Sequence, residues 1–336
     1  MRKLLILVSL INLSVAYAQV GGKHAYQFLE MPTSPKLAAL GGVNVTITGV
    51  DVNQVLFNPA SLSDEMNGML GVNFGSYYGD VSLGSAAYAH KFKNGRNMHV
   101  GVTYLTYGSM DGYDENGIAT GTFSGNDIAV SIGYAHPFEG TNFSIGANIK
   151  AVSSTLESYN SMALAADIGG IYNDSESGWT VGLTFNNIGT QLSNYEDMRE
   201  TLPFKAVLGF SKLLENVPIR WHLTFDNLQK WDISFSNPNR SQTDLENNIT
   251  EENITFGNNL MRHVVLGVEL FPEKNFNIRV GYNFKNGMEM KLMEQRHFAG
   301  FTAGFGLQVK RFKIAYAYNR FTLAGNSNLF GVSVKL

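Results

Sequence analysis

The chain reads as an all-β membrane protein: an antiparallel transmembrane β-barrel of about fourteen strands with an N-terminal hatch. Residues 67–336 would form the barrel and residues 19–66 the hatch or plug. Three observations predict the barrel. The composition is 44% hydrophobic and 12% aromatic but only 16% charged, with 35 glycines, whereas soluble globular chains carry about a quarter charged residues. From about residue 69 onward apolar residues recur at every second position, the period of a strand and not of a helix. Past the N-terminal segment no run of eighteen apolar residues occurs, so a membrane crossing has to be made by a closed barrel. Mean hydropathy is only -0.07, as expected when alternate residues face a polar lumen.

The first eighteen residues read as a secretory signal peptide. Arg2 and Lys3 supply the positive start, Leu4 to Val15 the apolar stretch, and Ala16-Tyr17-Ala18 the cleavage site, with Gln19 as the expected mature terminus.

The strands show their alternation plainly. Ile128, Val130, Ile132 and Tyr134 alternate with Ala129, Ser131 and Gly133. Trp179, Val181, Leu183 and Phe185 alternate with small residues, and Ile219, Trp221, Leu223 and Phe225 with Arg220, His222, Thr224 and Asp226. Phe276, Ile278, Val280 and Tyr282 follow the same rule, as do Phe330, Val332, Val334 and Leu336. The second face carries Lys150, Asp167, Arg220, His222, Asp226, Glu269, Arg279 and Lys313. A soluble sandwich would bury the apolar face; a barrel turns it to lipid and lines its lumen with the other. Strand length, aromatic placement and loop asymmetry favour the barrel. Many segments alternate over about ten residues, membrane length for a tilted strand. Tyr77, Tyr78, Phe92, Tyr104, Tyr107, Tyr134, Phe138, Phe271, Tyr316 and Tyr318 gather near strand ends, as interfacial girdles do. Short connectors at 93–96, 138–141, 173–177, 213–218, 272–275 and 310–311 alternate with longer ones at 108–121, 154–160, 189–202, 230–260, 285–296 and 321–327. An even strand count puts both termini in the periplasm and the long loops outside.

Residues 19–66 break the pattern. A short helix is expected around Ser34–Leu40, then Gly41-Gly42, a short apolar strand from Val43 to Thr48, and Asn58-Pro59-Ala60. A segment of this length without a membrane-length strand, ahead of a barrel, predicts a plug in the lumen.

The pairing of Ala38-Ala39-Leu40-Gly41-Gly42-Val43-Asn44-Val45 with Asn58-Pro59-Ala60-Ser61-Leu62 resembles the hatch of FadL-like barrels. Further runs resemble the PorQ and PorV outer-membrane proteins of the type IX secretion system of Bacteroidota. They are Val20 to Lys23, Tyr26 to Leu29, Gly121 to Ser124, Asn187 to Leu192 and Asn227 to Asp232. The resemblance covers nearly the whole mature chain. It implies fourteen strands and a non-enzymatic anchor that holds a PorZ-like surface protein, with PorU and PorV in the same cargo-attachment complex. One departure is the end, Val334-Lys335-Leu336, where many outer-membrane barrels end in Phe or Trp.

The net charge of -3 and the lack of a basic stripe exclude a nucleic-acid partner. The absence of cysteine excludes disulfides, thiolate metal sites and a lipidated Cys anchor. None of the seven histidines stands in an H-E-x-x-H or other metal spacing, and no G-x-S-x-G occurs. No enzyme, cofactor or metal is expected, and His222 reads as a lumen polar residue. Gly300, Gly304 and Gly306 alternate with Phe301, Ala303, Phe305 and Leu307, which is strand usage and not a phosphate loop. Two further features bear on function. A FadL-type channel for hydrophobic molecules would need an apolar pocket, for which Phe28, Leu29, Leu56 and Phe57 are candidates, with a lipid or detergent-like ligand in the lumen. The acidic loop with Asp244, Glu246, Glu251 and Glu252 is a candidate docking surface for a partner.

Overall fold

A computed structural model describes residues 24–93, 95–195, 199–234, 242–243, 249–250, 254–290, 299–320 and 325–336. The signal peptide, Val20 to Lys23, and the docking candidates Asp244, Glu246, Glu251 and Glu252 lie outside the described residues.

Alternation produces a closed antiparallel barrel of fourteen strands. They are β1 (Met69–Ser76), β2 (Ser82–Lys91), β3 (Asn97–Tyr113), β4 (Ala119–Pro137), β5 (Phe143–Leu156), β6 (Tyr159–Asp174), β7 (Trp179–Ser193), β8 (Lys205–Leu213), β9 (Ile219–Phe225), β12 (Val264–Leu270), β13 (Phe276–Asn283), β14 (Phe301–Val309), β15 (Phe312–Arg320) and β16 (Asn326–Lys335). Strands β10 (Gln242–Thr243) and β11 (Ile249–Thr250) pair with each other outside the barrel. β1 and β16 close the wall from Met69 opposite Lys335 to Ser76 opposite Asn328, so no sheet edge is left along this seam. Among the described residues no helix is long and apolar enough to cross a membrane; the crossing is made by strands.

The outward face is the predicted apolar one. Val72, Phe74, Val100, Val130, Ile132, Ile149, Ile168, Leu183, Leu266, Phe305, Ile314, Phe330 and Val332 all point away from the lumen. A continuous belt of this kind far exceeds the apolar patches soluble monomers expose, a few hundred Å². Phe92, Phe138, Phe143, Trp179, Phe271, Phe276 and Phe312 ring the end that holds the short turns, the placement of an interfacial girdle. Placing Arg at Ile132, mid-span and 53% exposed, is expected to destabilise the barrel in vesicles by about 2–4 kcal/mol. Urea unfolding in lipid measures this, and an unchanged midpoint would mean that this face does not meet the bilayer.

Two expected long loops are strand. Residues 108–121 and 154–160 read as connectors, yet β3 runs to Tyr113, β4 starts at Ala119, and only residues 157 and 158 separate β5 from β6. The β3–β4 ladder continues from Ser109 opposite Ser124 to Tyr113 opposite Ala119. Beyond the neighbouring strands this hairpin needs no apolar face, because its ladder alone satisfies the backbone. The expected strand at Val43–Thr48 does not form either; the segment bends at Val45 and pairs with no strand. The helix near Ser34 does form, as α1 (Pro35–Ala39), with Ser34 capping the amide of Leu37 and Pro35 in its first turn. Gly300 precedes β14 in a turn, with φ of 81°, so it is not a strand residue.

Candidate functional site: a stoppered lumen and its cavities

Residues 24–68 occupy the lumen, and the wall is cut to receive them. α1 lies against β14, β15 and β16. Gly41, at φ 94°, turns the chain out of α1, which favours glycine. Its amide donates to Thr302 Oγ1 (3.1 Å), whose hydroxyl donates in turn to the Ala39 carbonyl (2.9 Å). Asn283 Nδ2 donates to the Gly41 carbonyl at 3.2 Å. Gly42 adds a second left-handed residue (φ 85°). Asn58 accepts from the Ala60 amide (3.1 Å) and donates to the Val45 carbonyl (2.8 Å), folding Asn58-Pro59-Ala60 back on the first half of the hatch.

The glycines on the lumen face are the seat. A Cβ at Gly146 would stand 2.5 Å from the backbone carbon of Pro59, one at Gly182 2.4 Å from the Val45 carbonyl oxygen, and one at Gly281 2.3 Å from the Gly41 nitrogen. These positions carry glycine because hatch backbone lies against the wall there. The signal was present in the sequence as small residues on the inward alternate of successive strands, but it reads equally well as mere filler until the hatch is in place.

Three polar networks fasten hatch to wall. In the first, Glu269 is 1% exposed and faces Arg279 Nε (3.0 Å), Lys36 Nζ (3.3 Å), His222 Nε2 (3.5 Å) and Arg220 Nη1 (3.9 Å). His222 Nδ1 meets Thr46 Oγ1 of the hatch at 3.1 Å, so the histidine is a lumen polar residue bridging wall and plug. In the second, Asp167 pairs with Lys150 (2.8 Å) and accepts from Asn148 Nδ2 (3.1 Å) and the Asn187 amide (2.9 Å). Asn148 Nδ2 also donates to the Val55 carbonyl (3.0 Å) and Asn186 Nδ2 to that of Phe57 (3.0 Å). In the third, Lys205 holds Asp226 (3.2 Å) and Glu30 (3.3 Å). At the barrel entrance Lys91, and after it Asn97, hydrogen-bond the Asp64 carboxylate and hold it below the ordinary carboxylate range. All the inward charges expected from alternation, including Lys313, do face the lumen.

The end opposite the short turns carries a cavity of about 780 Å³. Its floor is Gly41, Gly42 and Val43 of the hatch; Met31, Pro32, Tyr77, Tyr78 and Val81 form an apolar wall, and Glu30, Lys205, Asp226, Lys285 and Arg320 a charged one. The expected apolar pocket residues sit apart from it. Phe28, Leu29 and Leu56 surround a void of about 20 Å³, and Phe57 packs elsewhere, with Leu37, Val45 and Val207. Phe28 joins Leu83, Leu105 and Val152 in a wall-to-hatch core. These side chains hold the hatch; sequence reading missed the mouth residues Met31, Tyr77 and Val81, which come together only when the barrel closes.

The wall has a notch. β7 pairs with β8 only as far as Asn186 opposite Lys205. There β7 bulges against β6, with Asn187 at φ 59°. A recess of about 500 Å³ follows between residues 187–190 of β7 and residues 199–204. No group of three or more His, Asp or Glu that could hold a metal occurs among the described residues.

No protein-family model matches the chain, and no curated protein matches it in sequence. Solved structures do match in fold. The Ralstonia pickettii toluene transporter TbuX superposes with a TM-score of 0.55 over 92% of this chain and 99% of its own, at 12% identity. The CymD monoaromatic hydrocarbon channel gives 0.50 over 90% and 96%, at 14% identity. At such identities the likeness is one of fold. The chain shares its fold with these two proteins; its own barrel is closed and built of fourteen strands, with the N-terminal segment seated in the lumen.

Proposed function

We propose that the protein is a FadL-type channel that admits hydrophobic small molecules across the outer membrane, with its long loops outside and both termini in the periplasm. The observation that carries this reading is the mouth cavity of about 780 Å³, half walled by Met31, Pro32, Tyr77, Tyr78 and Val81 and floored by the hatch. A cavity of this size, with an apolar wall and a few polar groups, suits a drug-sized apolar ligand. The two fold neighbours named for toluene and for monoaromatic hydrocarbons support the same reading. The recess beside Asn187, where the β7–β8 ladder ends, is the place in the wall at which a lateral exit past the seated hatch would open in this reading. The barrel has no catalytic part in this reading.

A second reading is kept because of the β3–β4 hairpin. It stands beyond its neighbours with Tyr113 and Ile118 more than 60% exposed at its tip, a surface suited to a protein partner. Together with the sequence runs that resemble PorQ, this supports anchoring of a PorZ-like surface protein in type IX secretion. Deleting the gene in its own host separates the two. The channel reading expects slower uptake of a radiolabelled monoaromatic hydrocarbon with surface cargo intact. Lost surface cargo with unchanged uptake would overturn it and favour the anchor.

A further inference from the structure

The turn end of the barrel holds a second cavity, of about 360 Å³. Four elements send cations to it: Lys36 from the hatch, Arg220 from β9, Arg279 from β13 and Lys313 from β15, with Lys274 on the adjoining turn. Asp51 and Glu273 also line it, and Glu269 lies beneath. Five cations thus face three carboxylates, and two of the three, Asp51 and Glu269, are already engaged. Asp51 accepts from the amide and side chain of Asn53, both at 3.2 Å. Glu269 is shared by Lys36, Arg220 and Arg279. Lys313 donates to the Val50 carbonyl at 3.0 Å and has no ion pair among the described residues.

Arg279 supplies a second, independent observation. It is 6% exposed; Nε binds Glu269, while Nη1 is buried with no hydrogen-bond partner. A charged donor left so costs more than a neutral one. The wall is also relieved around it: a Cβ at Gly306 would come within 2.8 Å of Arg279 Nη2.

We propose that this cavity binds a phosphate dianion, either free inorganic phosphate or the phosphomonoester headgroup of a lipid, through Lys36, Arg220, Arg279 and Lys313. A phosphate monoester carries close to two negative charges at neutral pH, which matches the two uncompensated cations. A guanidinium offers it paired donors, and the lysines add point charge without fixed geometry. The site lies at the opposite end of the lumen from the mouth cavity, so it stands or falls independently of the channel reading.

The test uses the full folded chain in an uncharged detergent. Inorganic phosphate is titrated calorimetrically, and phosphatidic acid is offered in mixed micelles beside phosphatidylcholine. Binding of inorganic phosphate identifies the free ion, and binding of phosphatidic acid alone identifies the headgroup. The double variant R220Q/K313Q is expected to weaken whichever binds by about tenfold or more, while K335Q, an exposed lysine at the same end, leaves it unchanged. Unheated gel migration verifies that each variant is folded. The proposal is overturned if neither probe binds, if R220Q/K313Q binds like the parent, or if acetate competes as well as phosphate.

Discussion

Replacing Glu269 by Gln is expected to destabilise the barrel by about 3–5 kcal/mol, the usual effect of breaking a buried ion pair from one side. The carboxylate is 1% exposed and is shared by Lys36, Arg220 and Arg279. Gln keeps the shape and removes the charge, so three cations are left facing each other around a buried position. The loss falls on the hatch first, because Lys36 and Thr46, through His222, are its tethers at this point. Urea unfolding in vesicles reports the total, and protease sensitivity of residues 24–68 reports the hatch. Wild-type values for both would show that the network contributes little.

Gly146→Val tests the seat by shape instead of charge. Its Cβ would lie 2.5–2.7 Å from three backbone atoms of Pro59 and Ala60. Backbone cannot rotate away as a side chain can, so the hatch has to lift. Overpacking of this kind costs about 1–3 kcal/mol or more, and the expected outcome is a barrel that still folds but conducts ions in planar bilayers. Gly170→Val is the matched control on the same pair of strands, since nothing lies within 4 Å of its Cβ. Equal, silent bilayers for both variants would mean that the hatch does not rest on Gly146.

Much of the barrel was legible because lipid imposes a simple rule. Wherever one face meets acyl chains, apolar residues must recur every second position, and β4, β7, β9, β13 and β16 show this directly. β3 and β4 were cut short at 108–121 because the bilayer ends there and the rule lapses; polar and glycine residues then look like loop although the ladder persists. In β2 the alternation is faint for the opposite reason. Its inward Leu83, Ala87 and Ala89 are apolar because they pack on the hatch, not on water. The hatch turns at Gly41 and Asn58 were legible from local turn chemistry. The grouping of Phe28, Leu29, Leu56 and Phe57 was not, since which apolar hatch residues share a pocket depends on strands far away in sequence, such as those carrying Val207 and Val265 beside Phe57.

The seating of α1 also fixes an order of events. Gly41 bonds Thr302 across 261 residues, and Ala39 bonds the same hydroxyl across 263. The wall that holds α1 is therefore supplied by the last strands to be made. β1 must wait just as long for β16. Contacts so distant in sequence form late and slowly. Threading 45 residues of irregular chain into hydrogen-bonded register inside a completed barrel would add another slow step of long sequence separation. Strands that curl around a hatch already at hand avoid that step, and the segment then serves as the mandrel on which the cylinder is wound.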